Sequence, residues 1–313
     1  MGTPVGIAAV LGGSGFVGSA ICDSLEDRGW TVRAVRAPRL QLEGERAADP
    51  RLREAFQSDV NDLARAIASA QVLVNAAGDP NASSGDLDGL MGVNAALPTV
   101  ALRAAKRSGV SRFVHVSSSV VQGDRSVLDS SEATRSFSPY SISKAAGEKW
   151  VLAEAESQPE VIIYRPPSVH ASGRGVTRKI AALAASPLSS VAGAGDRPSP
   201  QALLENVGDA VAFLATSQTA PPRIVHHPWE GLTTVELLRL LGGREPHHIP
   251  MSLARFVVMT ARGVERVIPP LAPNRRRMEL LLLGQGVDRS WLDEAGWQPP
   301  YGADHWRLLS ADR

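Results

Sequence analysis

The feature that most constrains this chain is a glycine-rich stretch near its start, Gly12-Gly13-Ser14-Gly15-Phe16-Val17-Gly18. It follows an apolar run over residues 5–10 that predicts a buried parallel strand, and it leads into a segment with helical apolar spacing that ends at Gly29. Glycines at such a junction allow a tight turn, close approach of backbone to a pyrophosphate, and close packing of helix on strand. The phosphates then meet unpaired N–H groups at the positive end of the helix dipole. The stretch therefore predicts a dinucleotide site whose contacts are Gly12, Ser14, Gly15, Phe16, Val17 and Gly18.

Bulk properties narrow the class of protein. A chain of 313 residues exceeds the usual size of a single core, so we expect one large domain and a smaller lobe. The net charge of +1 argues against a nucleic-acid partner. The single cysteine, Cys22, excludes a disulfide framework and a cysteine metal cluster, and we interpret it as a small buried hydrophobe. No apolar run reaches membrane-spanning length and residues 5–18 lack a basic start, so we expect a cytoplasmic protein without a membrane partner.

Strand and helix patterns alternate along the first two thirds of the chain. Strands are predicted over 31–35, 56–60, 71–75, 112–116, 161–164 and 223–226, with helices over 61–70, 94–106, 139–156 and 176–185 and another from residue 207. This alternation predicts an α/β fold, a doubly wound parallel sheet of Rossmann type with a smaller C-terminal substrate lobe. The predicted boundaries are 1–167 with 206–228 for the dinucleotide-binding domain, and 168–205 with 229–313 for the substrate-binding lobe.

The end of the second predicted strand bears on the choice of cofactor. An acidic residue there would bind the ribose 2′-OH and select NAD, whereas arginine suits the 2′-phosphate of NADP. Arg36 and Arg39 occupy this place, so NADP (NADPH) is predicted, with NAD as the alternative if both are solvated loop residues.

Further candidate cofactor contacts follow the next predicted strands. Asp59, at the end of the 56–60 strand with Val60, could reach the adenine amino group. The small residues after the 71–75 strand allow the cofactor backbone to pass closely, and Asn94 is either a contact or a helix cap. The candidates here are Asn75, Ala76, Ala77, Gly78 and Asn94.

A serine cluster and a Tyr-x-x-x-Lys helix suggest the chemistry. Ser117, Ser118 and Ser119 end the 112–116 strand, and Tyr140 and Lys144 share one face of a helix whose predicted cap is Ser138. Hydride transfer at a carbinol carbon beside a nicotinamide needs a proton donor, and the lysine ammonium with an oxidised nicotinamide would lower the pKa of tyrosine from about 10. A serine hydroxyl would polarise the carbonyl oxygen.

Together these motifs resemble the short-chain dehydrogenase/reductases in their extended form, which acts mostly on nucleotide-activated sugars. The resemblance covers nearly the whole chain and rests on GGSGFVG, Asp59-Val60, residues 75–78 and 116–123, Tyr140 with Lys144, Arg165-Pro166-Pro167, Val207-Gly208-Asp209 and the closing Gly296-Trp297-Gln298-Pro299. It implies Ser118, Tyr140 and Lys144 as catalytic residues, with Ser117 and Ser119 as alternative registers for the serine. It also implies a homodimer through the helices at 94–107 and 139–156, and further cofactor contacts at Val116, Pro166 and Val169.

Departures from the family pattern concern the substrate. Ser119 and Val120 stand where sugar-nucleotide 4,6-dehydratases carry an acid pair, so that chemistry lacks its acid and base. The position at which the family carries an arginine for the substrate diphosphate falls near Ala202 in this chain. Binding of the diphosphate would then depend on Arg178 or on the run Arg275 to Arg277. That run is interpreted either as a phosphate clamp or as a solvated helix end. The predicted substrate contacts are Ser119, Arg178 and Arg275.

Within the family, the glycine motif and the Arg-Gly-Val run at 174–176 most resemble nucleotide-sugar 4-ketoreductases. We therefore predict NADPH-dependent reduction of a keto group on a dTDP- or UDP-linked deoxysugar. The alternatives are an NAD-dependent nucleotide-sugar epimerase, an NADPH-dependent reductase of a non-sugar carbonyl, and a non-enzymatic NADPH-binding regulator.

Two other features are interpreted structurally. Adjacent histidines cannot both face one ion from a regular strand, so His226-His227 and His247-His248 predict no metal site. The apolar helix predicted over 252–268 is interpreted as a lobe helix covering the sugar site, with a membrane-surface segment as the alternative.

Overall fold

A computed structural model of the protein describes residues 5–42, 56–81, 84–267 and 272–309. The strands are β1 Ile7–Leu11, β2 Thr31–Val35, β3 Val72–Asn75, β4 Arg112–Val116, β5 Val127–Leu128, β6 Glu160–Arg165, β7 Ser168–His170, β8 Ser190–Ala192, β9 Gln201–Leu203, β10 Ile224–His226, β11 His247–Ile249 and β12 Gly286–Val287. The helices are α1 Phe16–Asp27, α2 Gln57–Ala66, α3 Leu87–Met91, α4 Leu97–Arg107, α5 Pro139–Glu154, α6 Gly175–Ala185, α7 Leu204–Thr216, α8 Thr234–Gly242, α9 Met251–Val267, α10 Ala272–Leu283, α11 Trp291–Glu294 and α12 Ala303–Leu308. A π-helical turn, Gly92–Ala96, joins α3 to α4, and a 3-10 turn, Ser119–Gln122, follows β4.

Six parallel strands form the central sheet, in the order β10-β6-β4-β3-β1-β2. Leu11 at the end of β1 is in register with Val35 of β2 on one side and with Asn75 of β3 on the other. The strands that follow β1 are therefore added first on one side of it and then on the other, so the strand order switches between β1 and β3. In such sheets the ligand crevice opens at that switch point, outside the carboxyl ends of the strands. The doubly wound Rossmann-type fold predicted from the alternation is confirmed.

Helices cover both faces of the sheet because its strands are apolar on both sides. One buried cluster joins β1, β3 and β4 to α2, α4 and α5, and the other joins the opposite strand faces to α1, α7 and α11. A third cluster, with Ile180, Leu238, Leu281 and Trp306, joins α6 to α8, α10 and α12. The division into two lobes at the stated boundaries stays a prediction.

Two predictions about local structure are wrong. Residues 56–60 form no strand, because Val60, Leu63 and Ala64 are buried at helical spacing and α2 begins at Gln57. Asn94 does not open a helix, since the helical segment already begins at Leu87, capped by Asp86, whose carboxylate accepts a hydrogen bond from the Gly89 N–H at 2.9 Å. At residues 56–60 a five-residue strand pattern is weaker than two turns of amphipathic helix. At Asn94 the start of the helix was misplaced because the helical segment contains a π turn.

Two of the family motifs meet in the structure. The Asp209 carboxylate accepts hydrogen bonds from the indole Nε1 of Trp297 at 2.7 Å and from Arg28 at 2.8 Å. At Gly208 a Cβ would lie 2.6 Å from the carbonyl oxygen of Ala20, so glycine here lets α7 pack closely against α1. The motif at 207–209 therefore joins the end of the chain to the sheet, and its role is structural.

The paired histidines at the end of β10 have protein partners. His226 contacts the Ser130 hydroxyl at 2.8 Å and the Asp288 carbonyl at 2.9 Å, and His227 contacts the Tyr164 hydroxyl at 2.6 Å. Within the described ranges no three His, Cys, Asp or Glu side chains are grouped as a metal site would need. None of the helices in those ranges combines the length and apolarity needed to span a bilayer.

Candidate active site

The glycine turn between β1 and α1 has a conformation that other residues would not adopt. Gly12 has a φ of +77°, and a Cβ there would lie 2.8 Å from the backbone of Ala77. At Gly18 a Cβ would lie 1.9 Å from the Gly12 carbonyl oxygen, so only glycine lets the helix start so close to the strand. Helix α1 has Gly15 as its N-cap, with no side-chain cap and no acidic residue in its first turn. Among the residues that the structure describes, no side chain accepts from the N–H groups of this turn, and the turn fits the pyrophosphate of a dinucleotide.

Beyond β3 the small residues bring α5 close to the strand ends. The Asn75 side chain accepts a hydrogen bond from the Ala77 N–H at 3.2 Å. A Cβ on Gly78 would lie 2.9 Å from Oδ1 of Asn94 and 3.1 Å from Nζ of Lys144. Glycine at 78 is therefore needed for the close approach of these two side chains.

Asn94 links three elements of the site. It is fully buried in the π turn, its Oδ1 accepts from the Asp79 N–H at 3.1 Å, and its Nδ2 donates to the Ser143 hydroxyl at 3.1 Å. It is thus not a helix cap, and its contact with a cofactor stays a prediction. Its hydrogen bonds fix the loop after β3 against α5, and π turns of this kind occur often at functional sites.

Lys144 lies one turn after Tyr140 on α5 and is buried. Its Nζ donates to the carbonyl oxygen of Val116 at 3.1 Å. Burial lowers the pKa of Lys144 to about 8, and the carboxylates of Glu148 and Asp79 partly oppose this. The ammonium therefore stands at the carboxyl end of β4.

Tyr140 faces Ser118. Burial raises the pKa of Tyr140, while a hydrogen bond with Ser118 and the charge of Arg174 lower it and Asp79 adds to the rise. Tyr140 therefore keeps its proton at neutral pH in the protein by itself, which is the state that a proton donor needs. The predicted lowering of the Tyr140 pKa requires Lys144 and a bound oxidised nicotinamide together, and it stays a prediction.

The three serines after β4 have different partners. The Ser117 hydroxyl donates to Glu148 at 2.5 Å, and Glu148 in turn forms a two-pronged ion pair with Arg165, all of it buried. Ser119 begins the 3-10 turn, and its N–H donates to the Pro166 carbonyl at 2.9 Å. Ser118 is therefore the serine that the structure brings to Tyr140.

His115 is a buried neighbour of the site that sequence reasoning missed. It points between Asn75, whose Nδ2 lies 3.2 Å from its Nδ1, and Lys144. Burial and the charge of Lys144 hold its pKa well below 6.5, so His115 is neutral. No motif distinguishes it from an ordinary strand residue in the sequence.

The remaining predicted cofactor residues are placed as follows. Arg36 and Arg39 follow β2 and are exposed, and Asp59 is half-buried in the first turn of α2. Val60 is buried in the core cluster and Val169 is buried in β7. Asp59 therefore lies in a helix and not at the end of a strand, and its contact with the adenine stays a prediction. Arg36 and Arg39 stand after β2, at the strand end where they were predicted.

The predicted substrate arginines differ in their surroundings, and their contact with a substrate stays a prediction. Arg178 is exposed on α6, and Arg275 donates to Glu279 at 2.5 Å, with Arg276 at 3.1 Å from the same carboxylate. The run at 275–277 is thus part of a helix interior, and its first two members are bound to an acid. Arg277 is half-buried, and burial lowers its pKa.

Arg174 lies near the glycine turn, and from the sequence it was assigned neither to the cofactor nor to the substrate. Its guanidinium lies 4.2 Å from the centroid of the Phe16 ring and donates to the Val169 carbonyl at 2.6 Å. It interacts electrostatically with Tyr140 and with Arg277. The Arg-Gly-Val run was noticed for its resemblance only, and nothing in its spacing indicates that Arg174 reaches the glycine turn.

A Rossmann-type sheet, a glycine turn free of side-chain caps and a Ser-Tyr-Lys group at the strand ends define a dinucleotide-binding class of protein. The sequence profile described as NAD dependent epimerase/dehydratase family matches residues 8–198. The chain therefore belongs to the NAD-dependent epimerase/dehydratase family, in agreement with the predicted extended short-chain dehydrogenase/reductase resemblance.

Individual proteins similar to this chain include both dehydrogenases and epimerases. The chain is 33% identical over 167 residues to the 3 beta-hydroxysteroid dehydrogenase/Delta 5-->4-isomerase of Mycobacterium tuberculosis, a match that covers 49% of this chain and 44% of the relative. The chain thus matches less than half the length of this curated relative. The fold is similar to UDP-glucose 4-epimerase with UDP-glucose from Thermotoga maritima, with a TM-score of 0.65, 18% identity and 98% of each chain covered. It is also similar to dTDP-4-dehydrorhamnose reductase from Bacillus anthracis in complex with NADP, with a TM-score of 0.60, 14% identity, and coverage of 98% of this chain and 99% of that one.

Proposed function

We propose that the protein is an NADPH-dependent reductase of a keto group on a nucleotide-activated sugar. The observation that supports the proposal is that Tyr140 is hydrogen-bonded to Ser118 and that Lys144 reaches the carboxyl end of β4, at the same edge of the sheet as the glycine turn. In the family this is where a nicotinamide would lie. The proposal includes the two-lobe division, with the substrate bound between the glycine turn and the C-terminal lobe, and a homodimer through α4 and α5.

In the proposed reaction Tyr140, Ser118 and Lys144 have different roles, set by the proton or charge that each carries. When bound, the reduced cofactor supplies a hydride to the carbonyl carbon. Tyr140 gives its hydroxyl proton to the carbonyl oxygen, so that the ketone becomes an alcohol and Tyr140 becomes a phenolate that solvent reprotonates. Ser118 donates a hydrogen bond to the carbonyl oxygen as negative charge develops there, and Lys144 stabilises the phenolate.

Cofactor choice gives a first prediction. Replacing Arg36 by alanine removes a cation at the end of β2, where the 2′-phosphate of NADP would lie. We expect the Kd for NADPH to rise about ten- to a hundredfold, the size of one charge-assisted hydrogen bond, with little change for NADH. Fluorescence titration with both cofactors measures this.

The same titration is run on a control variant, and one of its possible results would contradict the choice of NADPH. Arg33, within β2, is also exposed, but its guanidinium donates to the carbonyls of Ala66 and Ala68, so Arg33→Ala should leave the ratio of the two Kd values unchanged. A wild-type protein that binds NADH more tightly than NADPH, or retains NAD through purification, would contradict the NADPH assignment. The epimerase alternative would then be favoured.

Two half-buried positive charges, on Arg174 and Arg277, favour an anionic substrate. Arg174 and Arg277 are half-buried cations that interact unfavourably with each other, and no acid within the described ranges forms an ion pair with either. A phosphate group between them would relieve this repulsion. Of the solved neighbours named above, one holds UDP-glucose and the other is named for a dTDP-linked sugar.

A second candidate is a reductase or dehydrogenase of a non-sugar carbonyl. The observation in its favour is that the curated relatives at 33% and 29% identity are hydroxysteroid dehydrogenases. Helix α9 also exposes Leu253, Phe256 and Met259. An apolar substrate would make no use of two half-buried arginines, which is why the sugar nucleotide is preferred.

Nucleotide binding tests the two candidates against each other. We expect millimolar UDP or dTDP, added to the NADPH-bound protein, to raise Tm, because a ligand at about a hundred times its Kd adds roughly 2.7 kcal/mol. Adenosine and a 3-keto-steroid serve as controls in the same scan. Stabilisation by the steroid with none by either pyrimidine nucleotide would overturn the sugar-nucleotide assignment and support the second candidate.

A further inference from the structure

His115 is a buried titratable residue near the site to which the proposed reaction gives no part. Asn75 of β3 is the Cα partner of Leu11 in β1 on one side and of His115 in β4 on the other. Both Asn75 and His115 are fully buried. Leu11 is the last residue of β1 and directly precedes Gly12. One row of residues therefore runs across three strands, from His115 to the start of the glycine turn.

The hydrogen bonds of Asn75 determine the state of the His115 ring. Oδ1 of Asn75 accepts from the Ala77 N–H at 3.2 Å, so its Nδ2 donor faces Nδ1 of His115, also at 3.2 Å. A donor facing Nδ1 requires Nδ1 to be the acceptor, which places the proton of the neutral ring on Nε2. Burial and the charge of Lys144 hold the pKa of His115 well below 6.5, in agreement with a neutral ring.

This tautomer leaves one donor of His115 unused. Its Nε2 is buried and has no hydrogen-bond partner among the residues that the structure describes. An unpaired buried donor is unfavourable, and the neighbouring buried residues of β4, Phe113, Val114 and Val116, are apolar. For packing alone, an apolar residue would therefore serve at least as well at position 115. What histidine adds there is the acceptor at Nδ1.

The acceptor matters because Ala77 is in contact with the glycine turn. A Cβ on Gly12 would lie 2.8 Å from both the N and the Cα of Ala77, so the two backbones have no room to move towards each other. The N–H of Ala77 is the group that Asn75 holds. The orientation of the Asn75 amide therefore controls where the Ala77 backbone lies against Gly12.

We propose that His115 is a positioning residue for the dinucleotide: its Nδ1 orients the Asn75 amide, and that amide holds the Ala77 backbone against Gly12. The glycine turn then has its binding shape before the pyrophosphate arrives, and less ordering has to be done on binding. This role rests on the proposed function only in that a nicotinamide dinucleotide binds at the turn. It requires neither NADPH in particular nor a keto-sugar substrate.

Two substitutions at position 115 separate the hydrogen bond from packing. His115→Leu fills nearly the same volume without an acceptor, and we expect the Kd for the dinucleotide to rise about three- to tenfold, the size of one hydrogen bond. Its urea midpoint should change little, because the unpaired Nδ2 of Asn75 replaces the unpaired Nε2 of His115. His115→Asn restores an acceptor close to the place of Nδ1 but leaves a cavity, so we expect a lower urea midpoint and a Kd near that of wild type.

The Kd is measured by fluorescence titration with whichever of NADPH and NADH the wild-type protein binds more tightly. If His115 acted through packing alone, the less stable variant, His115→Asn, would bind the dinucleotide more weakly than His115→Leu. Phe113→Leu is the matched control, because Phe113 is fully buried on the same strand but is in register with Leu73, away from the turn. It should lower the urea midpoint and leave the Kd unchanged.

A double-variant cycle tests the route through Asn75. Asn75→Ala should raise the Kd by a similar factor, and His115→Leu should add nothing in that background, because the Ala77 N–H is already released. An equal rise from His115→Leu in both backgrounds would overturn the proposal, as would a wild-type Kd in His115→Leu. His115→Met replaces His115→Leu in the cycle if the leucine variant does not fold.

Nitrogen NMR of the wild-type protein labelled with 15N-histidine tests the tautomer directly. The chain has seven histidines, and the signals of His115 are assigned by their loss in His115→Asn. At about pH 7 we expect the proton on Nε2, whereas a proton on Nδ1 would overturn the proposal because Asn75 could not donate to it. Neither readout involves turnover. A protein that gives the expected results but reduces no keto-sugar nucleotide would refute the proposed reaction and leave the role of His115 intact.

Discussion

Replacing Tyr140 by phenylalanine should lower turnover of the keto substrate by about 10³-fold or more while the protein stays folded and still binds cofactor. A positioned general acid contributes about 10²- to 10⁴-fold, and no other acidic hydroxyl stands beside Ser118 in the described part of the chain. The ring itself is retained, so packing against α5 and the 3-10 turn changes little. Single-turnover oxidation of bound NADPH, followed at its absorbance band, measures the loss.

The control for Tyr140→Phe is the other hydrogen-bonded tyrosine. Tyr164 is fully buried and bonds to His227 at 2.6 Å, away from the crevice, so Tyr164→Phe should cost stability but not lower the rate constant of the folded protein. Tyr140→Phe should bind NADPH with a Kd near that of the wild-type protein. Turnover retained in Tyr140→Phe would remove the tyrosine from the mechanism and would favour another proton donor.

The sequence was sufficient to predict those parts of the site that depend on neighbours along the chain. The glycine turn, the cap of α5 by Ser138 and the one-turn spacing of Tyr140 and Lys144 are local patterns, and the structure reproduces each of them. The parallel sheet followed from strand and helix alternation for the same reason. Ser118 could be chosen among three serines only by counting within a family motif, and the partners of Ser117 give an independent physical reason for the choice.

What the sequence could not predict depends on contacts between distant segments. Arg174 reaches Phe16 from far along the chain. The ion pair of Arg275 with Glu279 is local to α10, but the burial of these two side chains depends on the assembled fold. A run of three arginines does not show which of its members is bound to an acid and which faces a crevice. The burial that raises the pKa of Tyr140 in the protein alone is likewise a property of the assembled fold, whereas the lowering expected with a bound oxidised nicotinamide stays a prediction.

Removing the carboxylate of Glu148 should have the largest effect on stability of any change near the site. Glu148 and Arg165 are both buried, with Nη2 of Arg165 at 2.6 Å and Nε at 3.0 Å from the carboxylate oxygens. Glu148→Ala leaves the guanidinium without its counter-charge, and breaking a buried pair in this way costs about 3–5 kcal/mol. Urea unfolding measures the lost free energy, and an exposed pair gives the control. Lys106 and Glu156 lie 2.7 Å apart with Glu156 mostly exposed, so Glu156→Ala should cost about 1 kcal/mol or less.

The double variant Glu148→Leu with Arg165→Met identifies the cause of that loss. If the loss comes from an unpaired buried charge, replacing both partners by apolar side chains should recover most of the stability, because such pairs contribute little net free energy when compared with a well-packed apolar pair. If the double variant is as unstable as Glu148→Ala, packing and not charge explains the loss. The recovered protein should still turn over more slowly than wild type, since the Ser117 hydroxyl has lost its acceptor and the adjacent Ser118 is no longer held towards Tyr140. A fully active double variant would show that the 3-10 turn positions Ser118 without help from the buried pair.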